Sequence, residues 1–316
     1  MLRPLAKTPQ FPLENPRLDT TCLIINPAAA RGRTRASIPS IRAAFAARGI
    51  STTYQTSAPG DEETLARRAI DNGAQTIVAV GGDGTCSRIA QAIVQSRAAC
   101  RIAVVPSGTG NDFAKTLGVA KLTPEAIAEL VVAGHATRID VGEADGHYFL
   151  NSCGFGFDAS VLEASNAVRF LKGDAVYIYS ALRQLWSYRG IEIRTTGVPG
   201  AGGGRMLMVT VSNGKSLGGA FRIAPHASVL DGKLDVCFFA DSSVVTRARL
   251  FLGALRGTHL ERPQVFAAAT PQLTLSFERS ATMEMDGELR VASASRVDIS
   301  CVPRALSVIA APGGLV

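Results

Sequence analysis

Histidine is scarce in this chain of 316 residues: His135, His147, His226 and His259 are the only four, and they lie far apart. No H-E-x-x-H pair occurs, so a helix-borne zinc site has no support. The six cysteines, Cys22, Cys86, Cys100, Cys153, Cys237 and Cys301, form no C-x-x-C pair. Zinc ribbons and thioredoxin-type sites are therefore unsupported as well, and reduced, buried thiols are expected. Long apolar runs are also missing. No uncharged stretch reaches the ~18 residues that a membrane span needs; residues 305–316 are uncharged but short, and Pro312 and two glycines break them. Residues 1–20 hold four prolines within the first sixteen positions and no apolar core of signal-peptide length, so they read as a loose leader. A cytoplasmic protein, soluble or peripheral to a membrane, is expected.

What is present fits a folded globular protein of about two domains: 47% hydrophobic, 19% charged and 6% aromatic residues, with the apolar ones spread along the chain. Lys plus Arg number 33 against 26 Asp plus Glu, a formal net charge of +7. That excess favours an anionic partner such as a nucleotide or an acidic lipid surface. Nucleic acid is not expected, because no aromatic-basic signature accompanies the charge.

From residue 21, short β-branched runs alternate with amphipathic stretches at 21–26, 34–48, 51–56 and 61–72, a β-α-β-α series. Asp61 is the expected N-cap of the second helix, with Glu62 and Glu63 in its first turn and Gly73 as its stop. The apolar runs 76–80 and 102–105 flank a helix over about 87–95 and suit strands buried on both faces of a parallel sheet. After Asp140 the rhythm changes to strand-like segments at 148–153, 191–196, 206–212, 234–239, 272–277, 283–286 and 296–301. That series predicts an antiparallel sandwich, interrupted by helical stretches at about 160–188 and 243–256. The fold class is thus an N-terminal open α/β domain followed by a C-terminal antiparallel β-sandwich, cut near 138–141.

Glycine-rich turns end three of the first strands. Gly81-Gly82-Asp83-Gly84-Thr85 leads straight into a helix. Such a turn lets backbone approach phosphate, and the helix offers free N–H groups. Asp83 adds a carboxylate that suits Mg²⁺. A tight turn chosen for backbone geometry alone is the plainer reading. The segment Pro106-Ser107-Gly108-Thr109-Gly110-Asn111-Asp112-Phe113-Ala114 follows the next strand, and Asn26-Pro27-Ala28-Ala29-Ala30-Arg31-Gly32 ends the first on the same sheet edge. The latter brings Arg31 and Arg33 within reach of a polyphosphate. Neither G-x-x-x-x-G-K-[ST] nor G-x-G-x-x-G fits these turns.

Together with Gly154-Phe155-Gly156-Phe157-Asp158, Leu230-Asp231-Gly232-Lys233-Leu234 and Asp286-Gly287-Glu288, these segments resemble the diacylglycerol kinase catalytic-domain family, which includes bacterial lipid kinases and sphingosine and ceramide kinases. The resemblance implies an ATP-dependent lipid kinase with an NAD-kinase-like nucleotide domain over 21–138, to which 303–316 is a candidate addition, and a lipid-substrate domain over 139–302. ATP would be contacted by Asn26, Pro27, Arg31, Thr56, Gly81, Gly82, Asp83, Gly84, Thr85, Ser107, Gly108, Thr109, Asn111 and Asp112. Asp83, Asp112 and Asp286 would surround the catalytic Mg²⁺, and Glu288 would accept the proton of the lipid hydroxyl, with Asp286 as competitor. A carboxylate base, a metal and backbone N–H groups suffice for phosphoryl transfer. Asp286-Gly287 is also a common hairpin signal. A structural Mg²⁺ would take the Asp231 carboxylate and the carbonyls of Ser228 and Lys233; a plain turn is the alternative.

One departure stands out. After Gly81 to Thr85 the family usually continues with an apolar residue and Asn-Glu, where this chain has Cys86-Ser87-Arg88. The change counts against NAD kinase, the second reading, and motivates a third, an idle nucleotide- or lipid-binding module. The stretch 168–186 combines apolar residues, Trp186 among them, with Arg169, Lys172 and Arg183. It suits either docking on an acidic membrane or core packing under a charged face. The lipid acceptor and the oligomeric state are not determined by any motif.

Overall fold

The computed structural model describes residues 20–167 and 174–315. The expected leader therefore lies outside them apart from Thr20, as does the first part of the basic stretch, residues 168–173. The first half runs β1 (Thr21–Ile25), α1 (Thr34–Ala46), β2 (Thr53–Gln55), α2 (Asp61–Asp71), β3 (Thr76–Gly81), α3 (Asp83–Ser96), β4 (Arg101–Pro106), α4 (Asp112–Thr116) and α5 (Pro124–Ala133). β1 and β3 are buried at every position, as the continuous apolar runs require of strands covered by helices on both faces. The strands pair in parallel in the order β4-β3-β1-β2. All four therefore end on one edge of the sheet, where the glycine-rich turns collect.

The second half contains β5 (Ala136–Ala144), β6 (His147–Phe149), β7 (Ser152–Gly156), α6 (Phe157–Ala167), α7 (Asp174–Ser187), β8 (Ile191–Thr196), β9 (Gly203–Ser212), β10 (Leu234–Ala240), α8 (Val244–Arg256), β11 (Val265–Thr270), β12 (Gln272–Phe277), β13 (Thr282–Met285), β14 (Glu288–Val291) and β15 (Arg296–Ile309). Its strands pair antiparallel, and a core around Phe149, Phe155, Val209, Leu275 and Met283 fills the space between them. A separate apolar cluster packs α7 and α8 against β9 and β10.

β15 belongs to both halves. Its first part pairs with β12 and β5, and its last part runs parallel to β4, with Ser307 opposite Arg101. The register changes between Val302 and Leu306, where Arg304 has φ +53° and donates its N–H to Asp140 Oδ1 at 2.7 Å. The other oxygen of Asp140 accepts the Gly232 N–H at 2.7 Å, so one buried carboxylate fastens the bend and the 228–233 turn together. The expected boundary near 138–141 falls inside β5.

Several expectations need correction. Gly60, at φ +94°, caps α2 in place of Asp61, whose Oδ2 instead accepts the Ser57 N–H and hydroxyl and the Ala58 N–H. α3 starts at Asp83 rather than near residue 87, so Asp83, Gly84 and Thr85 form its first turn. The expected strand over 148–153 is broken, because Leu150, Asn151 and Ser152 turn their N–H groups to Asp286. The helical stretch over 160–188 comprises α6 and α7, and the strands β5 and β11 went unforeseen.

Candidate active site

The turns after β3 and β4 touch backbone to backbone. A β-carbon on Gly108 would stand 2.4 Å from Gly82 Cα, a contact no side chain allows. Asn111, at φ +51°, holds this arrangement: its Oδ1 accepts the Gly108 N–H at 2.9 Å and its Nδ2 donates to the Gly108 carbonyl at 3.1 Å. Asparagine tolerates left-handed backbone better than most residues. Ser107 supports from behind, donating its N–H to the Gly81 carbonyl while its own carbonyl accepts the Thr34 hydroxyl.

In front of these turns lies a cavity of about 670 Å³ lined by Asn26, Pro27, Thr56, Gly82, Gly84, Thr85, Gly108 and Thr109. Of the expected nucleotide contacts, these eight converge. Arg31 does not join them; it stands exposed at φ +59°, and Arg35 forms part of the wall instead. Glu62, which sequence reasoning treated only as a helix-start acid, underpins the wall. Its Oε1 accepts from Asn26 Nδ2 at 2.8 Å and from the Thr85 hydroxyl at 3.4 Å, in a site where the residue is 4% exposed.

Beside it a second cavity, about 230 Å³, is lined by Asp83, Asp112, Glu284 and Asp286 together with Asn151 and Ser152. Asp83 Oδ1 accepts the Phe113 N–H, and Asp112 accepts from Lys115 Nζ at 2.8 Å and from the Gly219 N–H at 2.9 Å. Burial, then the neighbouring charges of Asp112 and Asp286, raises the Asp83 carboxyl to about 7. Burial also pushes Glu284 well up, and its Oε2 has no hydrogen-bond partner. Several carboxylates thus share a space with too little positive charge, which is the electrostatic setting a divalent cation relieves.

The residues fit Mg²⁺ on its own terms. Among the described residues no three His, Cys, Asp or Glu side chains form a ready cage. Mg²⁺ commonly uses one or two carboxylates and completes its shell with water and substrate phosphates. Asp83 and Asp112 are the donors best placed, since both direct Oδ2 toward Gly110, 3.1 and 3.5 Å from where its β-carbon would be. At the other expected site, Asp231 is exposed and its Oδ1 accepts the Lys233 N–H at 3.0 Å, while Ser228 Oγ accepts the Leu230 N–H. Those bonds make a turn, and the second Asp231 oxygen remains for other partners.

Asp286 and Gly287, at φ +48° and +87°, form the two-residue turn between β13 and β14, as the Asp-Gly hairpin signal predicts. The turn sends its two carboxylates to different places. Asp286 is buried on the side of the acidic cavity, where Oδ2 accepts the Leu150 N–H at 2.7 Å and Oδ1 those of Asn151 at 2.8 Å and Ser152 at 3.2 Å. Burial raises its carboxyl. Glu288 faces the larger cavity, lying over Gly84 and meeting Arg88 Nε at 2.7 Å. Arg88, one of the residues that depart from the family pattern, is therefore a contact of Glu288, one of the two candidate bases. Nothing in the local sequence signalled this pairing.

A third cavity, narrow and apolar, lies under α7 and α8 and is lined by Phe157, Leu185, Leu207, Phe221, Leu250 and Phe251. Leu217 borders both it and the acidic cavity. Asp158 is the buried carboxyl in its wall, raised to about 7 by burial.

Comparison with known proteins places both halves. Residues 20–144 match the diacylglycerol kinase catalytic domain, and residues 151–310 match the YegS C-terminal NAD kinase beta sandwich-like domain. A "Probable lipid kinase YegS-like" of Stenotrophomonas maltophilia is 32% identical over 254 residues, covering 77% of this chain and 81% of that protein. The diacylglycerol kinase of Bacillus subtilis is 27% identical over 270 residues, 84% of this chain and 88% of its own. The crystal structure of a diacylglycerol kinase from Bacillus anthracis superposes with a TM-score of 0.71 at 22% identity, covering 93% of this chain and 97% of that one; this likeness concerns the fold.

Proposed function

Since the chain belongs to the lipid kinase family that joins a diacylglycerol kinase catalytic domain to a YegS C-terminal domain, we propose that it transfers the γ-phosphate of ATP to the hydroxyl of a diacylglycerol-like lipid, with Mg²⁺ in the cleft. The observation that carries this reading is the single cavity walled by the loops after β1 to β4 and by Glu288 from the β13–β14 turn. A phosphate-binding edge and a carboxylate from the other half of the chain thus meet at one place. The triphosphate lies along Gly82, Gly84, Gly108 and Thr109, whose backbone allows close approach. Glu288 takes the proton of the acceptor hydroxyl as that oxygen attacks phosphorus. Mg²⁺ at Asp83 and Asp112, when bound, neutralises phosphate charge.

Asp286 acts on position, not on protons. Each of its oxygens already accepts backbone N–H groups, which holds the turn that presents Glu288. Acyl chains occupy the apolar cavity under α7 and α8. Peripheral association with a cytoplasmic membrane face is part of this reading; what supports it is the outer side of those helices, where Leu182, Trp186, Val245 and Leu252 are exposed, as are Arg183, Arg249 and Arg256. A second, structural Mg²⁺ is proposed at Asp231 with the carbonyls of Ser228 and Lys233, as is the division into a nucleotide domain and a lipid domain.

The test is transfer of labelled γ-phosphate from ATP and Mg²⁺ to a panel of lipids in mixed micelles, with NAD⁺ as a separate acceptor. Label on a lipid supports the proposal and names the acceptor. Label on NAD⁺ alone, or nucleotide binding without transfer to any acceptor, overturns it.

A further inference from the structure

Arg88 occupies the second turn of α3 and grips the β13–β14 turn at one of its carboxylates. Its Nε donates to Glu288 Oε1 at 2.7 Å. The ion pair is partly sheltered, with the two side chains 30% and 25% exposed. Exposed surface pairs contribute little, so its importance must come from where it sits.

It sits in the wall of the 670 Å³ cavity, next to Gly84, Thr85 and Thr109. Arg88 Nη1 reaches the facing loop, 3.3 Å from where a β-carbon on Gly60 would stand. A guanidinium has five N–H donors in a fixed plane, and the bond to Glu288 uses only the one on Nε. Four remain on Nη1 and Nη2. Glu288 Oε2 pairs with Arg290 only at 3.6 Å, too long for a hydrogen bond, and accepts none from the described residues.

Resting on the lipid-kinase reading of the same site, we propose that Arg88 is a phosphate-contacting residue that bridges the terminal phosphoryl group of a nucleoside triphosphate and the base Glu288. Its Nη groups bond non-bridging oxygens of that phosphoryl group while Nε keeps the Glu288 carboxylate in place. In the transfer, the acceptor oxygen forms the new bond to phosphorus and its proton passes to Glu288 Oε2. The bond from phosphorus to the bridging oxygen breaks, and its electron pair leaves with the nucleoside diphosphate. Arg88 keeps all its protons and balances the charge that spreads over the phosphoryl oxygens. An ammonium cannot serve both partners in this geometry, because it lacks the planar fork.

The experiment compares Arg88→Gln, Arg88→Lys and Glu288→Gln with the unsubstituted full chain. Affinities for a non-hydrolysable ATP analogue, ADP and AMP are measured by calorimetry with Mg²⁺, alongside kcat and KM for ATP in mixed micelles. The expected result is that Arg88→Gln cuts the preference for triphosphate over diphosphate about tenfold, leaves AMP binding unchanged and lowers kcat about a hundredfold. Arg88→Lys restores binding in part and kcat hardly at all. Glu288→Gln loses turnover yet keeps the triphosphate preference. A preference and a kcat within twofold of the unsubstituted protein in Arg88→Gln, or an equal loss of all three nucleotides with a lowered Tm, overturns the proposal. If the unsubstituted chain binds no nucleotide, the lipid-kinase reading fails with it; if it binds nucleotide and phosphorylates lipid while Arg88→Gln is unaffected, the inference fails alone.

Discussion

Arg88 Nε donates to Glu288 Oε1 at 2.7 Å although 200 positions of chain separate the two residues. One belongs to the helix that opens at the glycine-rich turn after β3, the other to a hairpin near the end of the antiparallel half. The contact closes the candidate site across the junction of the two halves, while the neighbouring Asp286 is held by backbone N–H groups instead.

Asp286 and Glu288 should respond differently to substitution. Glu288→Gln keeps the fold and lowers phosphoryl transfer by about 10²–10⁴-fold, the usual contribution of a general base. Asp286→Ala leaves the Leu150, Asn151 and Ser152 N–H groups buried without their acceptor and destabilises the protein by roughly 3 kcal/mol. Thermal denaturation beside the kinase assay separates the two outcomes. An Asp286→Ala protein with unchanged Tm would refute the positioning role.

Glu62 should act through Asn26 and Thr85. Glu62→Gln replaces a carboxyl group whose Oε1 accepts two bonds with an amide that must also place two donors, so KM for ATP rises about tenfold with kcat changed less than threefold. Steady-state kinetics with ATP varied at saturating lipid gives both parameters. A fall in kcat at constant KM would contradict this assignment.

Stability should depend on pH through Asp158. Its carboxyl is raised to about 7 by burial, whereas an unfolded Asp titrates near ~3.9. The folded state therefore binds the extra proton between those values, and its contribution is complete below about pH 4 and lost as pH rises through 7. Asp158→Asn imitates the protonated form. Its Tm should exceed that of the unsubstituted protein by several degrees at pH 8, about 5 °C, and by little at pH 5. Equal Tm differences at both pH values would be inconsistent with this account.

The outer face of α7 and α8 should bind acidic lipid. Trp186 is 71% exposed and Leu252 60% exposed, an arrangement that leaves apolar groups in water. Replacing both with serine should weaken co-sedimentation with vesicles containing phosphatidylglycerol about tenfold, without lowering activity on a short-chain, water-soluble acceptor. Added salt should weaken the unsubstituted protein's binding through Arg183, Arg249 and Arg256. Unchanged sedimentation of the double variant would remove this face as the docking surface.

How much of this was legible in advance depends on the range of the interactions. Strand and helix periodicity is local, and so are the glycine turns: a run such as 76–80, bounded by Gly73 and Gly81, suits a covered strand. The N-terminal α/β half and the antiparallel half follow from such patterns, whereas the eight expected residues that line the larger cavity rest on the family resemblance. Arg31 is not in the lining of the larger cavity; its backbone turns left-handed, a conformation nothing in an alanine-rich turn announces.

By itself, then, the sequence determined the two-part fold class, the glycine-rich turns and the Asp-Gly hairpin, because each depends on side chains a few positions apart. Tertiary structure alone decided the partners. Burial of Asp286 among three backbone N–H groups, support of Asn26 by Glu62, and the meeting of Arg88 with Glu288 all rest on segments far apart in sequence, and the last crosses the sheet that β15 carries from one half to the other. A charged pair separated by 200 positions leaves no trace in local pattern, since its energy exists only once the chain has folded around it.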